Sequence, residues 1–501
     1  MATRLRRISQ ILFFILFVGL LARTKLLGPS GSGAQPLLPV NLFFKLDPLT
    51  ALVNLLAGHT LTLALLGPLL ILIFAAIFGR FFCGWICPLG SLNHFLGRVR
   101  SQPAAARIHS NRSKKWQAAK YYLLIAGLMA ALFRVNLLGW IDPFSWMLRS
   151  AGLSFLPAVA SKKYAVVSMP HYGLNLALGA AFLALLAMNL RIPRFWCRAL
   201  CPLGALLGLA SRWSPVRLRK DASTCNQCAR CQLDCQGGDN PIGGAEWLKS
   251  ECHLCLNCVS ACPHGSLQFQ FSGERQSPAP TYLDRRKTLA ALVAGAVAAP
   301  LLRAQRLLQP NRNKQVLRPP GAVNESAFLS RCIRCGECMR VCPNHALQAT
   351  FTEAGVEGIW TPVLTPRIGY CEPHCVLCSE VCPSGAIQEL TVEKKGWVAG
   401  SKAGAPVRIG TAVYNKNICL PWARLEECGV CLEWCPVEPK AIVVEPALSA
   451  GPDGKTLAMQ RPRIDASRCI GCGACEFACP LTEQAGVFIC NSGESRASDG
   501  A

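Results

Sequence analysis

Cysteine is the residue type that gives this sequence most of its chemistry. The chain of 501 residues contains 29 cysteines, and 24 of them form six sets of four. In most sets three thiols follow one another at every third residue, and in five of the six the last cysteine precedes a proline. This is the spacing of a bacterial ferredoxin loop, which binds a 4Fe–4S cube with its first three sulfurs and gives the fourth to a neighbouring cube. The sets are Cys225, Cys228, Cys231 and Cys235; Cys252, Cys255, Cys258 and Cys262; Cys332, Cys335, Cys338 and Cys342; Cys371, Cys375, Cys378 and Cys382; Cys419, Cys428, Cys431 and Cys435; and Cys469, Cys472, Cys475 and Cys479.

The spacing favours iron–sulfur clusters over the two other common uses of many cysteines. Zinc ribbons separate two Cys-x-x-Cys pairs by about 15–20 residues, whereas most sets here place three thiols within seven residues. Disulfide bonds need sulfurs paired two by two, and thiols this close on one turn bridge poorly. We therefore expect six 4Fe–4S clusters and a role in electron transfer. Three sets depart from the regular pattern: Gln236 replaces the proline of the first, three residues separate Cys371 from Cys375, and eight separate Cys419 from Cys428.

Four further cysteines form two matching pairs outside the six sets. Cys83 and Cys87 begin the sequence Cys-x-x-x-Cys-Pro-Leu-Gly, and Cys197 and Cys201 begin a second copy. Because the copies belong to an internal duplication, one hypothesis is that the pairs meet and hold a metal, a cluster or a redox disulfide, with a quinone site beside them. The alternative is that they are packed thiols at helix ends. The last cysteine, Cys490, is expected to be a buried structural thiol.

Each half of the duplication also carries an Asp-Pro step and a histidine. Asp47 and His59 precede the first cysteine pair, and Asp142 and His171 precede the second. A histidine helped by a carboxylate can accept a proton from a quinol, so these four residues form a candidate quinol site. Asp-Pro is also a common turn opener, and an interfacial histidine can be purely structural. Haem ligation is not expected, because both histidines lie on one side and no Cys-x-x-Cys-His attachment sequence occurs.

Uncharged apolar runs are the elements that must position these groups. Lys and Arg are concentrated before the first run, between the second and third and after the fourth, and they are sparse in the other links. This asymmetry predicts membrane spans with the amino terminus and the cysteine pairs on the cytoplasmic side. The alternative for the first run is a cleaved signal peptide. The four predicted spans are 8–23, 61–82, 121–139 and 173–190.

A fifth apolar run, from Thr288 to Leu302, follows the sequence Asp284-Arg285-Arg286-Lys287. Twin arginines before an Ala/Gly-rich run are typical of a twin-arginine export signal. That pathway suits a domain that must acquire its clusters before it crosses the membrane. The alternative is a buried helix with a chance Arg-Arg pair. A fifth span would also leave the rest of the chain outside.

The composition argues against a nucleic-acid partner despite a formal net charge of +24. Much of the excess positive charge borders the apolar runs, where membrane topology accounts for it. Each cubane with four thiolates carries a charge of about −2, so six of them would lower the net charge by about 12. The apolar fraction of 51% favours a protein that is partly embedded in a membrane.

We therefore predict a multidomain chain that combines an α-helical membrane bundle, of four spans plus a fifth, with α+β ferredoxin-like domains. Its predicted parts are a membrane domain at 1–215, a cytoplasmic two-cluster ferredoxin at 216–272, a linker with the twin arginines and the fifth span at 273–304, and a periplasmic four-cluster ferredoxin at 305–501. In the first ferredoxin, sharing of the fourth ligands would group Cys225, Cys228 and Cys231 with Cys262, and Cys252, Cys255 and Cys258 with Cys235.

Two family resemblances cover nearly the whole chain. The four-span unit with its two Cys-x-x-x-Cys-Pro-Leu-Gly copies and two following ferredoxin sets resembles the NapH family of membrane ferredoxins. The part from Arg285 onward, with its twin arginines, Leu317-Arg318-Pro319-Pro320-Gly321-Ala322 and four cysteine sets, resembles the NapG/MauM family of exported ferredoxins. The chain is thus similar to a fusion of two components of a quinol dehydrogenase.

The resemblance implies a ligand grouping in the tail. By analogy with related four-cluster ferredoxins, the first set shares ligands with the last and the second with the third. The implied groups are Cys332, Cys335 and Cys338 with Cys479; Cys469, Cys472 and Cys475 with Cys342; Cys371, Cys375 and Cys378 with Cys435; and Cys419, Cys428 and Cys431 with Cys382.

The resemblance also implies an activity and a location. It implies a multi-pass protein of the bacterial cytoplasmic (inner) membrane that passes electrons from the quinol pool to a periplasmic reductase or cytochrome. The expected cofactors are six 4Fe–4S clusters, with quinone or quinol as substrate. The expected partners are membrane lipid, quinone, the periplasmic acceptor and the twin-arginine translocation machinery, with no nucleic acid. Two alternatives are an electron-donating maturation or repair factor for a periplasmic metalloenzyme and a redox sensor.

Overall fold

The computed structural model of the chain describes residues 2–23, 39–58, 65–99, 102–155, 175–241, 247–272, 283–307, 316–351, 353–398, 405–450 and 456–496. These residues form two compact units, and the boundary between them lies at Pro300 and Leu301, inside a helix. The first unit contains the helical bundle and the first ferredoxin together, and the second contains the other four cysteine sets.

Short and long helices build the bundle of the first unit. In chain order they are α1 (Ala2–Arg23), α2 (Leu42–Lys45), α3 (Pro48–Gly58), α4 (Leu66–Phe78), α5 (Phe81–Trp85), α6 (Pro88–Leu96), α7 (Ala104–Asn111), α8 (Ala119–Leu132), α9 (Pro143–Arg149), α10 (Asn175–Ala187), α11 (Phe195–Ala199) and α12 (Pro202–Ala210). The internal duplication is visible in the pairs α5–α6 and α11–α12. In each pair the second helix begins at a Cys-Pro step, because a proline fits the first helical position and needs no hydrogen bond there.

The predicted set of four spans and a fifth is wrong for the described residues. Two helices are long and apolar enough to cross a membrane, Ala2–Arg23 and Arg285–Ala304. Within the described residues the other three predicted spans contain helices of 13, 14 and 13 residues, each about 20 Å long at ~1.5 Å per residue. The first residues of the predicted spans 61–82 and 173–190 lie outside the described part of the chain. The backbone explains two of the endings. Gly79 takes φ +82° directly after α4, and Arg134 takes φ +62° just beyond α8.

Aromatic rings fill the space between the bundle helices. The ring of Phe43 lies 5.4 Å from that of Phe17 and 5.7 Å from that of Phe144. Phe144 in turn contacts Phe44 and Phe82, at centroid distances of 6.2 Å each. These contacts tie α1, α2, α5 and α9 together next to the Asp-Pro steps.

The first ferredoxin is a small α+β element on the same unit. Strands β1 (Val216–Lys220) and β2 (Leu267–Phe271) pair antiparallel, with Val216 opposite Phe271. The short helices α13 (Arg230–Leu233) and α14 (Asn257–Ala261) each begin between the ligands of one cysteine set. Helix α15 (Arg285–Leu307) follows and packs against α8, since a Cβ placed on Gly295 would lie 2.2 Å from the carbonyl oxygen of Ala126.

The second unit repeats the same small elements. Its helices are α16 (Glu325–Arg331), α17 (Glu337–Val341), α18 (Gly355–Gly358), α19 (Leu377–Glu380), α20 (Val392–Lys395), α21 (Val430–Glu433) and α22 (Ala474–Phe477). Its strands are β3 (Leu347–Ala349), β4 (Pro362–Leu364), β5 (Thr411–Tyr414), β6 (Ile442–Ala450), β7 (Thr456–Ile464) and β8 (Val487–Cys490). They form three antiparallel pairs, β3–β4, β5–β8 and β6–β7. Ferredoxin-type α+β domains are therefore present, as predicted.

Candidate metal centres

The first ferredoxin brings its eight thiols into two groups of four. One cavity is lined by Cys225, Cys228, Cys231 and Cys262. Cys252, Cys255 and Cys258 lie within electrostatic reach of one another, and Cys255 is also close to Cys235. The fourth cysteine of each sequence set thus joins the other set, which is the grouping that the sequence predicts for this domain.

The second unit groups its ligands differently from what the family resemblance implies. Three cavities are each lined by four thiols. The remaining thiols are also neighbours, since Cys382 interacts electrostatically with Cys332, Cys335 and Cys338. The four groups are Cys419, Cys428, Cys431 and Cys479; Cys435, Cys469, Cys472 and Cys475; Cys342, Cys371, Cys375 and Cys378; and Cys332, Cys335, Cys338 and Cys382.

The implied exchange of ligands between the first and last sets, and between the second and third, is therefore wrong. The first set exchanges its fourth cysteine with the second, and the third exchanges with the fourth. The physical reason is that sets adjacent in sequence fold into one small two-cluster element. In the first of these elements, Val341, just before Cys342, packs against Leu377 and Val381 of the second set.

Backbone conformation explains how the regular loops wrap a cube. In four sets both residues that flank the second cysteine have positive φ. The pairs are Gln227 and Ala229 (57° each), Leu254 and Leu256 (47° and 59°), Arg334 and Gly336 (58° and 83°), and Gly471 and Gly473 (71° and 88°). Left-handed residues curl the chain tightly, so that successive thiols converge on one centre.

The surroundings of the ligands suit a bound metal centre, which replaces the thiol protons. Burial raises the pKa of the Cys335, Cys338 and Cys475 thiols well above its usual value, so without a metal these thiols would keep their protons. Backbone N–H groups of Ala412 and Gly486 donate to the sulfurs of Cys469 and Cys479, at 3.3 Å each. Cavities lined by four thiols and by such donors fit 4Fe–4S clusters, which when bound supply one-electron transfer.

The two Cys-x-x-x-Cys pairs do meet. Their four thiols, Cys83, Cys87, Cys197 and Cys201, are all 5–6% exposed, and no disulfide bond joins them. Cys87 lies within electrostatic reach of Cys83 and Cys197, and Cys201 within reach of the other three. We call these residues the bundle thiols.

Buried cations surround the bundle thiols. Arg80 precedes Cys83 by three residues, Arg194 precedes Cys197 by three, and Lys120 lies on α8; all three are 0–1% exposed. The ammonium group of Lys120 and the Nη1 of Arg80 both contact the Glu251 carboxylate, whose other oxygen accepts a hydrogen bond from Tyr121 at 2.9 Å. Our sequence reasoning missed these cations, although the repeat Arg80-Phe-Phe-Cys83 and Arg194-Phe-Trp-Cys197 was a signal that could have found them.

The two Asp-Pro aspartates also meet, deep in the bundle. Asp47 is 0% exposed and Asp142 is 1% exposed, and the two carboxyl groups lie within electrostatic reach of one another. Asp47 accepts hydrogen bonds from the backbone N–H groups of Leu49 and Thr50, at 3.0 and 3.2 Å, and Asp142 from that of Ser145 at 2.8 Å. Two buried carboxyl groups that are close together favour a shared proton over two negative charges. His59 and His171 lie outside the described residues.

The structure also describes two other predicted features, Cys490 and the twin arginines. Cys490 is half-buried at the end of β8, where its thiol donates to the Thr411 carbonyl at 3.3 Å. Arg285 and Arg286 are exposed at the start of α15.

Comparison with known families agrees with the thiol geometry. One family described as a 4Fe-4S binding domain matches residues 60–104, 174–221 and 376–398, and a second of the same description matches residues 460–481. A 4Fe-4S dicluster domain matches residues 331–386. This last match spans the first two sets of the second unit, which are the two that exchange ligands.

Curated relatives share a substantial part of the sequence. The methylamine utilization ferredoxin-type protein MauM of Methylobacillus flagellatus is 32% identical over 202 residues, which is 40% of this chain and 77% of the relative. The ferredoxin-type protein NapG of Escherichia coli is 34% identical over 170 residues, or 34% of this chain and 68% of the relative. NapG of Haemophilus influenzae is 34% identical over 209 residues, covering 40% and 70%. No solved structure matches the chain. With these relatives and the matching thiol geometry, the chain belongs to the NapG/MauM family of ferredoxin-type iron–sulfur proteins, over about 40% of its length.

Proposed function

We propose that this chain is an electron-transfer protein of the bacterial cytoplasmic membrane that carries electrons from the quinol pool to a periplasmic oxidoreductase. The ferredoxin-type relatives support electron transfer as such. The membrane, the quinol, the periplasmic partner and the number of six ferredoxin clusters are the further parts of the proposal.

The membrane part is supported by exposed apolar side chains on the two long helices. On α1, Ile8, Leu12 and Ile15 are 61–63% exposed. On α15, Leu289 and Val293 are similarly exposed, at 63% and 61%. Helices that present such rows to their surroundings match a lipid environment better than water. The exposed Arg285-Arg286 pair at the start of α15 supports the proposal that the twin-arginine machinery exports the part that follows.

The quinol part is carried by the Asp47–Asp142 pair. Oxidation of a quinol releases protons, and a carboxyl pair that shares one proton can accept another. The rings of Phe43, Phe44 and Phe144 next to these residues form apolar surroundings that suit a quinone head group. The two carboxyl groups come from the two halves of the duplication, so the site would lie where the halves meet.

The proposed quinol site can be tested on the anaerobically purified, detergent-solubilised chain. A water-soluble quinol is added, and reduction of the clusters is followed by the loss of their visible absorbance. Asp47→Asn and Asp142→Asn should each slow reduction by at least about tenfold, since a positioned proton acceptor contributes about 10²–10⁴ in rate. Asparagine keeps the helix-capping oxygen, so the fold should survive.

The matched control is Asp221→Asn, which changes an exposed aspartate that caps a loop by accepting a hydrogen bond from Ser223. Its reduction rate should equal that of the unchanged chain. Equal rates in all three variants would remove the quinol role of the aspartate pair. Reporter fusions before residue 284 and after residue 320 test the topology, and a cytoplasmic report from both would reject export of the second unit.

A further inference from the structure

We propose that the four bundle thiols together hold a seventh metal centre, a polynuclear iron–sulfur cluster, beside the first ferredoxin. The two matched segments at 60–104 and 174–221 each contain only one cysteine pair. The structure unites the pairs into a single four-thiol site. The proposal does not depend on the identity of the electron donor.

The first argument is charge. Arg80, Arg194 and Lys120 bring three positive charges to the site, and Glu251 supplies one negative charge. Nε and Nη2 of Arg80 and Nη2 of Arg194 are buried without a hydrogen-bond partner among the described residues. A buried guanidinium group is costly when some of its nitrogens lack hydrogen-bond partners. A cubane with four thiolates carries about −2, which would balance the remaining charge.

The second argument is the way in which the sulfurs are presented. Cys87 and Cys201 cap the amino termini of the nine-residue helices α6 and α12, where the helix dipole favours negative charge. The backbone N–H groups of Gly90 and Gly204 donate to these sulfurs at 3.4 and 3.2 Å. All of these features stabilise thiolates. A disulfide is neutral, so it would leave the net positive charge of the site without compensation.

The third argument is the ligand type. All four side chains that meet at the site are thiols, and sets of four thiolates are the usual ligands of 4Fe–4S clusters. Zinc also binds four thiolates, so the metal content decides between the two metals.

The fourth argument is position. The chain beside Cys83 lies directly against the first ferredoxin, since a Cβ on Gly84 would meet the His253 carbonyl oxygen at 2.2 Å. His253 stands between the ligands Cys252 and Cys255. Trp85 donates from Nε1 to the Leu254 carbonyl at 2.9 Å, and Arg80 from Nη1 to the Ser250 carbonyl at 2.8 Å. A centre at the bundle thiols would thus be a direct neighbour of one ferredoxin cluster.

The test is the metal content of the full chain, purified without oxygen. Seven cubes hold about 28 irons and 28 sulfides, and six hold about 24. Serine at all four positions (Cys83→Ser, Cys87→Ser, Cys197→Ser, Cys201→Ser) should remove about four irons and four sulfides per chain. Cys490→Ser is the matched control and should remove none. Equal iron in the fourfold variant and in the unchanged chain would overturn the proposal.

A second measurement keeps the test decisive if the fourfold variant folds poorly. In the unchanged, folded chain under anaerobic conditions the four thiols should resist alkylation until an oxidant and an iron chelator remove the clusters, and mass spectrometry should find no disulfide among them. Arg80→Gln with Arg194→Gln keeps all four ligands and should shift the electron paramagnetic resonance signal of one centre. Free thiols, a disulfide or bound zinc at these positions would each overturn the proposal. Because the readout is metal and thiol chemistry, failure of the quinol proposal would leave it unchanged.

Discussion

At the scale of single residues, four of the cysteine loops depend on left-handed backbone at the two positions that flank the second cysteine. Arg334 and Leu256 have positive φ values, which residues with side chains normally avoid. Their residue types therefore do not predict this conformation. Where glycine occupies the same place, as at Gly336 and Gly473, the sequence does carry the signal. The loops thus store strain in some sets and avoid it in others.

This difference predicts opposite effects for two exchanges at equivalent positions. Gly473 has φ +88° and its Cβ would lie 3.0 Å from the Cβ of Pro366, so Gly473→Ala should destabilise its loop by about 1–2 kcal/mol. Ala229 occupies the same place after Cys228 at φ 57°, and Ala229→Gly should relieve a similar strain. The rate at which cluster absorbance is lost on mild heating should rise in the first variant and fall or stay equal in the second. A faster loss in Ala229→Gly would contradict this account.

At the scale of elements, the hydrophobic runs predicted where helices lie but not where they end. The run at 121–139 contains α8 only as far as Leu132. Beyond it the chain turns at Arg134. The Asn136 side chain then accepts a hydrogen bond from the Gly139 N–H at 3.0 Å, at the start of a 3₁₀ turn (Leu138–Trp140). Hydropathy averages over such a break, because apolar side chains continue on both sides. The length of a helix depends on local capping that a window average does not detect.

Helix α15 gives a prediction about packing inside the first unit. Ala291 and Ala299 are buried on the face that carries Gly295, and the Ala126 carbonyl leaves no room for a side chain there. Gly295→Leu should force the helices apart and cost at least about 1–3 kcal/mol, the usual range for overpacking. Val293→Leu, at a position that is 61% exposed, is the control. Thermal unfolding in detergent should occur at lower temperature in the first variant alone.

The entry into the second unit depends on an ion pair that the sequence motif did not explain. Arg318 is 2% exposed and donates from Nη2 and Nε to the two carboxylate oxygens of Glu325, at 2.6 and 3.0 Å. Its guanidinium also lies 4.6 Å from the Phe328 ring centroid. The pair therefore fastens the segment that begins at Val316 to α16.

Breaking this pair should be costly. Arg318→Ala removes the hydrogen bonds to both oxygens of the Glu325 carboxylate and leaves it with Arg496 at 3.3 Å, and loss of one partner of a buried pair costs about 3 kcal/mol. The exposed pair between Arg463 and Glu445, at 3.0 Å, is the control, and Arg463→Ala should change stability by at most about 1 kcal/mol. Denaturant unfolding of the two variants measures the difference. Similar midpoints would show that the Arg318 pair is no stronger than a surface contact.

At the scale of the whole molecule, the sequence predicted two parts that carry cysteine sets, but not which cysteines of the second part group together. Family analogy joined the outermost cysteine sets, because sequence spacing alone does not say which fourth cysteine crosses to which cube. The structure joins neighbouring sets, through short-range packing such as that of Val341 on Leu377. The second unit thus couples its cysteine sets two by two, the first with the second and the third with the fourth.

The two ligand groupings predict that different thiols become reactive when the fourth cysteine of one set is replaced. In the structure Cys382 belongs with Cys332, Cys335 and Cys338, so Cys382→Ser should expose those three thiols to a maleimide reagent under anaerobic conditions. Under the family analogy the same substitution would instead expose Cys419, Cys428 and Cys431. Cys479→Ser is the reciprocal variant, and the structure predicts that it frees Cys419, Cys428 and Cys431, which share its cavity. Peptide mapping of the labelled cysteines separates the two ligand groupings, because in each variant they predict opposite sets of three labelled thiols.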